Sequence, residues 1–266
     1  MRPILRGGMD PLTDDIITKP NTEPAFFTLS DPGTGLSFEG AVIDGEQTVD
    51  EKVSYDNLTV RGRAFFREGV DVTHLSIEGE ATFLDYVTCD ELAVRGMAVL
   101  KNRLVCLAAG FFGVTECFGN IHSDMISVTQ QLKARGKISA LGINVSGKLH
   151  CGGRISTDDL TVTGSVTAKG HVNAIGVRIL ANGTVNTFTE IKSDLVICDS
   201  KMPDPPDFAL ICDTIDCDTA LLRYAKVDYV FCERCKIGAG SVVRVLECHD
   251  EPVIDPGATV QKIIRF

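Results

Sequence analysis

"LTVRG" at residues 58–62 returns, respelled, as "LSIEG" (75–79), "LAVRG" (92–96), "INVSG" (143–147) and "LTVTG" (160–164). The copies keep a 17-residue spacing or a multiple of it. Windows opened at 41, 58, 75, 92, 109, 126, 143, 160 and 177 align without insertion or deletion, so the stretch is a structural unit and not a single binding motif. The third position reads Ile43, Val60, Ile77, Val94, Phe111, Val128, Val145, Val162 and Ile179. The first, ninth and thirteenth positions are comparably apolar, with Val185 and Thr189 closing the last two in the final window.

Apolar positions 1 and 3, 7 and 9, 13 and 15 make three short stretches of alternation per window. Period 2 puts the apolar side chains of each stretch on one face. Such a unit cannot bury its own apolar face, whereas a stack of units can. The expected fold is all-β: a parallel β-helix, or β-solenoid, with three short strands per 17-residue rung. The handedness rule for parallel crossovers makes it right-handed. Gly occupies the fifth position in Gly45, Gly62, Gly79, Gly96, Gly113, Gly147 and Gly164, which suits a corner needing positive φ or close approach. A second corner is expected at Gly119, Gly136, Gly153 and Gly170. The ninth position is large at Phe66 and Phe83 where the seventh is Ala64 and Ala81, and small at Ala134 and Cys151 where the seventh is Leu132 and Leu149. Two positions that trade volume share one narrow interior, which leaves little room for a ligand.

The ends are different. Residues 1–35 read as a flexible tail, with a first partial rung at Leu36 and Phe38 in a main stack over 36–201. "MPDPPD" (202–207) lacks ladder donors at its three prolines and reads as a loop or break over 202–208. "IGAGSVV" (237–243) and "IDPGATV" (254–260) restore the 17-residue echo, so further rungs are expected over 209–266.

The chain of 266 residues carries a net charge of −10 and a pI near 5.0, with no basic cluster, which argues against a nucleic-acid partner. It has no apolar run of transmembrane length, and its start lacks the apolar segment of a signal peptide, so a cytoplasmic location is expected. Ten cysteines are then expected as reduced thiols. "CERC" (232–235) has metal-ligand spacing, and Cys217, Cys232, Cys235 and Cys248 form the candidate zinc set. A 17-residue step places Asp218 beneath Cys235 and Phe231 beneath Cys248. Buried structural thiols without a metal or other cofactor remain the simpler expectation. His74, His122, His150, His171 and His249 share no position of the repeat, and the acids are scattered. No catalytic residues are assigned, and an enzyme is not expected.

"LTVTGSVTAKGHVNAIG" (160–176), with its G-x-V-x-A-x-G-x-V pattern, resembles a rung of the bactofilins, bacterial polymer-forming cytoskeletal proteins. "VDYVFCERCKIGAGSVVRVLE" (227–247) and "IDPGATVQKI" (254–263) resemble the end of the bactofilin-like proteins of Gram-positive bacteria. The resemblance implies a right-handed triangular β-helix and nucleotide-independent filament assembly. It also implies a scaffold role in cell shape, motility or positioning of partners, including a protein or peripheral membrane partner. An uncapped β-helix end is a pairing edge, and "VQKIIRF" (260–266) offers Ile263, Ile264 and Phe266 for contact with a second copy. The competing expectation is a non-polymerising β-helical module that binds a protein or glycan. A β-helical acyltransferase or polysaccharide-active enzyme comes third.

Overall fold

A computed structural model describes residues 40–200, 202 and 208–266. The tail expected over 1–35, the partial rung at Leu36 and Phe38, and Pro203, Pro205 and Pro206 lie outside the described residues. Among the described residues there is no helix, and the strands pair in parallel to stack as a β-solenoid of about 13 turns.

The ladders read from the sequence are the hydrogen-bonded ladders of the coil. Ala41 faces Leu58 and Ile43 faces Val60, and the next turn puts Leu75 and Ile77 in the same places. That step continues until Val162 faces Ile179. Phe66, Phe83, Ala64 and Ala81 are all buried, as are Leu132, Leu149, Ala134 and Cys151, so the two volume-trading positions do point into one interior. A single apolar core runs from Ile43 to Cys248 without a break. Outward residues such as Arg61 and Arg63 pair with Glu78 and Glu80 of the next turn, exposed contacts of small energetic weight.

The three corners differ in kind. In the lower turns the first and second interrupt the chain's strands, whereas the third is only a bend; higher up, Ile138–Ser139 and Gly142–Val145 part at the third, and Ser165–Ala181 runs through the second. Val53–Val60, Val70–Ile77, Val87–Val94 and Leu104–Phe111 each run through the third corner as one eight-residue strand. The first corner needs glycine for close approach alone. A Cβ on Gly79, Gly96 or Gly113 would lie 2.0 Å from the carbonyl oxygen of the glycine one turn below. Positive φ occurs among glycines only at Gly183 and Gly240 of the described residues. Gln130 replaces glycine in one turn, and there the corner hydrogen bonds stretch. Gln130 N to Phe111 O is 3.3 Å, against 2.9 Å for Gly96 N to Ile77 O.

The unbroken 17-residue register fails earlier than expected. Val162 faces Ile179 in step, but Ala168 then faces Phe188 and Val172 faces Ile191. Phe188 and Ile191 therefore hold the inward places that counting gave to Val185 and Thr189. The chain admits extra residues at the first corner around Asn182–Val185 and drops one at the second, between Ala168 and His171. Ser200 ends its strand opposite Ala181, at that same first corner. Pairing resumes beyond it with Asn186 opposite Leu210 and Cys198 opposite Leu222, so one stack continues through it. The next turns are shorter: Ala225 already faces Leu210, and Val243 faces Val227, a 15-residue and then a 16-residue step. Tyr224, with φ of 54°, makes the tight first corner of the shortest of these turns. The final step returns to the 17-residue spacing, from Ile237 to Ile254 and from Val243 to Val260.

Two polar side chains repair the ladder where turn length changes. Asn186 is fully buried; its Oδ1 accepts from Val166 N at 2.8 Å and its Nδ2 donates to Ala209 O at 3.2 Å. Ser241 Oγ accepts from Ala225 N at 3.3 Å and donates to Leu222 O at 3.1 Å. Each gives a partner to a buried backbone N–H, that of Val166 or of Ala225, where turn length changes.

Candidate functional site

The third corner explains why C-x-x-C matters here. In each turn one inward residue precedes the bend, two outward residues make it, and the next inward residue follows. Cys232 and Cys235 are such a flanking pair, both buried, with Glu233 and Arg234 exposed between them. The short turns then bring other sulfurs into line. Cys217 faces Cys232, and Cys232 faces Cys248. This corrects the counting by 17, which placed Asp218 beneath Cys235 and Phe231 beneath Cys248. The residue beneath Cys235 is Ala220.

Cys232, Cys235 and Cys248 bring their sulfurs within 4.8 Å of one another, with Cys235 Sγ and Cys248 Sγ 3.7 Å apart. Cys217 belongs to the same ladder one turn lower but stands outside this trio. Burial pushes the Cys248 thiol up to about 11 and the Cys217 thiol up to about 12, the latter helped by the flanking Asp216 and Asp218 carboxylates. A hydrogen bond shared with Cys232 lowers Cys235 and raises Cys232.

Other turns show what this corner does without a cluster. Ser123 Oγ donates to Leu107 O or Met125 O (3.1 and 2.9 Å), and Thr157 Oγ1 to Leu141 O or Asp159 O (3.1 and 3.0 Å). Cys248 Sγ makes the similar contact to Glu233 O at 3.3 Å. Cys89 faces Cys106 at this place too, but the residues after those bends are Leu92 and Ala109. Cys117, Cys151 and Cys212 contact the corner carbonyls of Gly119, Gly153 and Thr214.

No family model, no curated protein and no solved structure matches this chain.

The C-terminal end of the coil lies next to the cluster. Among the described residues, strand Thr259–Arg265 forms the last turn and pairs only with Val242–Cys248. Leu246 is fully buried beneath Ile263, while Ile263 itself is 45% exposed. Ile254 and Val260, inward on the other two sides, are only half-buried. Ile264 points to the flank and is half-buried. Phe266 does not sit on the end face; its ring stacks on Phe231 at 5.0 Å and meets His249 edge-on at 5.8 Å. There it walls a shallow groove of about 540 Å³ that Asp216, Cys217 and Asp218 also line.

The sequence reading missed a feature of the third corner. Leu107, Leu141 and Ile175, two turns apart, are 55%, 56% and 57% exposed, and Asp124 and Asp158 occupy the turns between them. The cue was present: just after the fifteenth position, aspartate and a large aliphatic residue alternate from Asp90 to Ile175.

Proposed function

We propose that the protein is a non-enzymatic structural scaffold that associates with copies of itself through the C-terminal end of the coil. The observation that carries this reading is the contrast between fully buried Leu246 and 45%-exposed Ile263 directly above it. One more turn stacked on Thr259–Arg265 would cover Ile254, Val260 and Ile263 and pair an edge strand that, left open, invites association. Contact between two identical ends closes a dimer; contact with the opposite end propagates a filament. The resemblance to bactofilins, carried by 160–176 and 227–263, fits the second arrangement and a cytoplasmic scaffold role.

Truncation of 260–266 is a blunt test, because it uncovers Val243 and Leu246 as a new end. Ile263→Lys places a charge on the face and leaves the turn in place. Sedimentation and negative-stain microscopy of the intact chain should show dimers or filaments, and Ile263→Lys should shift them to monomers. An intact chain that stays monomeric over the accessible concentration range rules the reading out.

The second reading is a lateral binding module. The alternation of exposed Leu107, Leu141 and Ile175 with Asp124 and Asp158 favours it, because it offers a partner protein apolar contacts spaced by about two strand separations, ~10 Å. Retention of a partner by the Ile263→Lys monomer, lost on Leu141→Asp, separates it from the first.

A further inference from the structure

We infer that Cys232, Cys235 and Cys248 bind a zinc ion that staples the last turns of the coil. The inference goes beyond the scaffold reading and stands on the cysteine geometry alone.

Cys235 is the residue that sets this corner apart. Its ladder holds only Ala, Leu, Ile or Val in every lower turn, from Ala41 to Ala220. A thiol there adds nothing to corner hydrogen bonding, which belongs to the residue before the bend. Placed opposite Cys232 and Cys248, it completes the one group of three metal-ligating side chains that meet among the described residues. The shortened turns are what align the set. They put Cys217, Cys232 and Cys248 in one ladder, which the longer step of the lower coil would not.

The spacing suits zinc. Thiolates bound at ~2.3 Å in a tetrahedron stand ~3.8 Å apart, and Cys235 Sγ and Cys248 Sγ are already 3.7 Å apart. The remaining sulfur separations, within 4.8 Å, close by small side-chain rotations. Cys217, one turn lower and reaching the wall of the groove, is placed to supply the fourth donor or leave that position to water. On binding, each ligating thiol gives its proton to solvent, and the metal neutralises charge that burial would otherwise oppose. The ligands come from two neighbouring turns, so the ion ties Val242–Cys248, the support of the terminal strand, to the turn below.

The test uses the full chain, reduced and stripped of metal, titrated with Co²⁺ and then Zn²⁺. Expected are one metal per chain, a thiolate-to-cobalt charge-transfer band that Zn²⁺ abolishes, and a raised thermal midpoint with Zn²⁺. Cys235→Val keeps an aliphatic residue of the kind found at Val196 in the same ladder, so it should fold. It should weaken Zn²⁺ binding more than the roughly 10–100-fold brought by losing a supporting hydrogen-bond partner. Cys89→Ala, at a distant pair, should bind as the parent does. Absence of the cobalt band, equal Zn²⁺ binding by parent and Cys235→Val, or a Cys235–Cys248 disulfide in protein purified without reductant would each overturn the proposal.

Discussion

Phe66 and Phe83 stack one above the other on successive turns, ring centroids 4.8 Å apart and planes within 3°. The parallel register forces this face-to-face arrangement, because the rings repeat at the strand spacing. Both are essentially fully buried, each beside an inward alanine two residues earlier on its own strand, Ala64 and Ala81. Phe83→Ala should cost about 3–5 kcal/mol, the usual range for a buried Phe. Adding Ala81→Leu copies the Leu132/Ala134 pairing and should recover part of the loss. Denaturant titrations followed by circular dichroism measure both; a double variant no more stable than Phe83→Ala would contradict the shared-interior account.

The first corner makes a sharper prediction about glycine. Gly96→Ala drives a methyl to within 2.0 Å of the Gly79 carbonyl oxygen, whereas Gly45→Ala meets nothing within 4 Å among the described residues. Backbone is the obstacle at Gly96, so neighbouring turns must separate. Gly96→Ala should destabilise by about 1–3 kcal/mol, as overpacking does, and Gly45→Ala should leave the midpoint almost unchanged.

Interior polar groups should respond in opposite directions. Thr115 Oγ1 is buried and has no hydrogen-bond partner among the described residues, so Thr115→Val should stabilise by about 1–3 kcal/mol. Asn186→Leu copies the residue facing it, Leu210, yet strands Val166 N and weakens the contact at Ala209 O. It should destabilise by a similar amount. Thermal midpoints of the two variants, measured side by side, check the signs.

Alkaline pH should loosen the coil. Burial pushes Cys117 and Cys151 up to about 11 from an ordinary 9.0. The folded chain holds these protons more tightly than the unfolded chain. Their contribution is therefore complete below pH 9 and lost between about pH 9 and pH 11. At the top of that window the loss approaches about 2–3 kcal/mol per thiol. The double variant Cys117→Ala, Cys151→Ala should show a shallower fall in denaturation midpoint from pH 9 to 11.

The lower coil is legible because its turns have equal length. Between Ala41 and Ala168, counting residues and counting turns amount to the same thing, so the ladders and the corners can be read directly. At Asn182–Gly183 a turn-forming pair admits extra chain, and counting then selects Val185 and Thr189 over Phe188 and Ile191. Only pairing in space restores the alignment. The same limit misaligned the cysteines that the sequence had already grouped. The C-x-x-C spacing drew notice, but the juxtaposition of Cys217, Cys232 and Cys248 depends on the shorter steps that missing corner residues create. The open end was suggested by an apolar terminal strand, yet the flank position of Phe266 follows from its stacking on Phe231.

Turns of unequal length stack in this coil, and the extra residues at Asn182–Val185 and the strand end at Ser200 fall at the same edge. Height along the axis is therefore counted in strands, and all but single-residue changes of turn length fall at one seam. A foreign peptide grafted into that seam would decorate a single edge and leave the spacing along the other two untouched, which makes the molecule a ruler with a built-in attachment line.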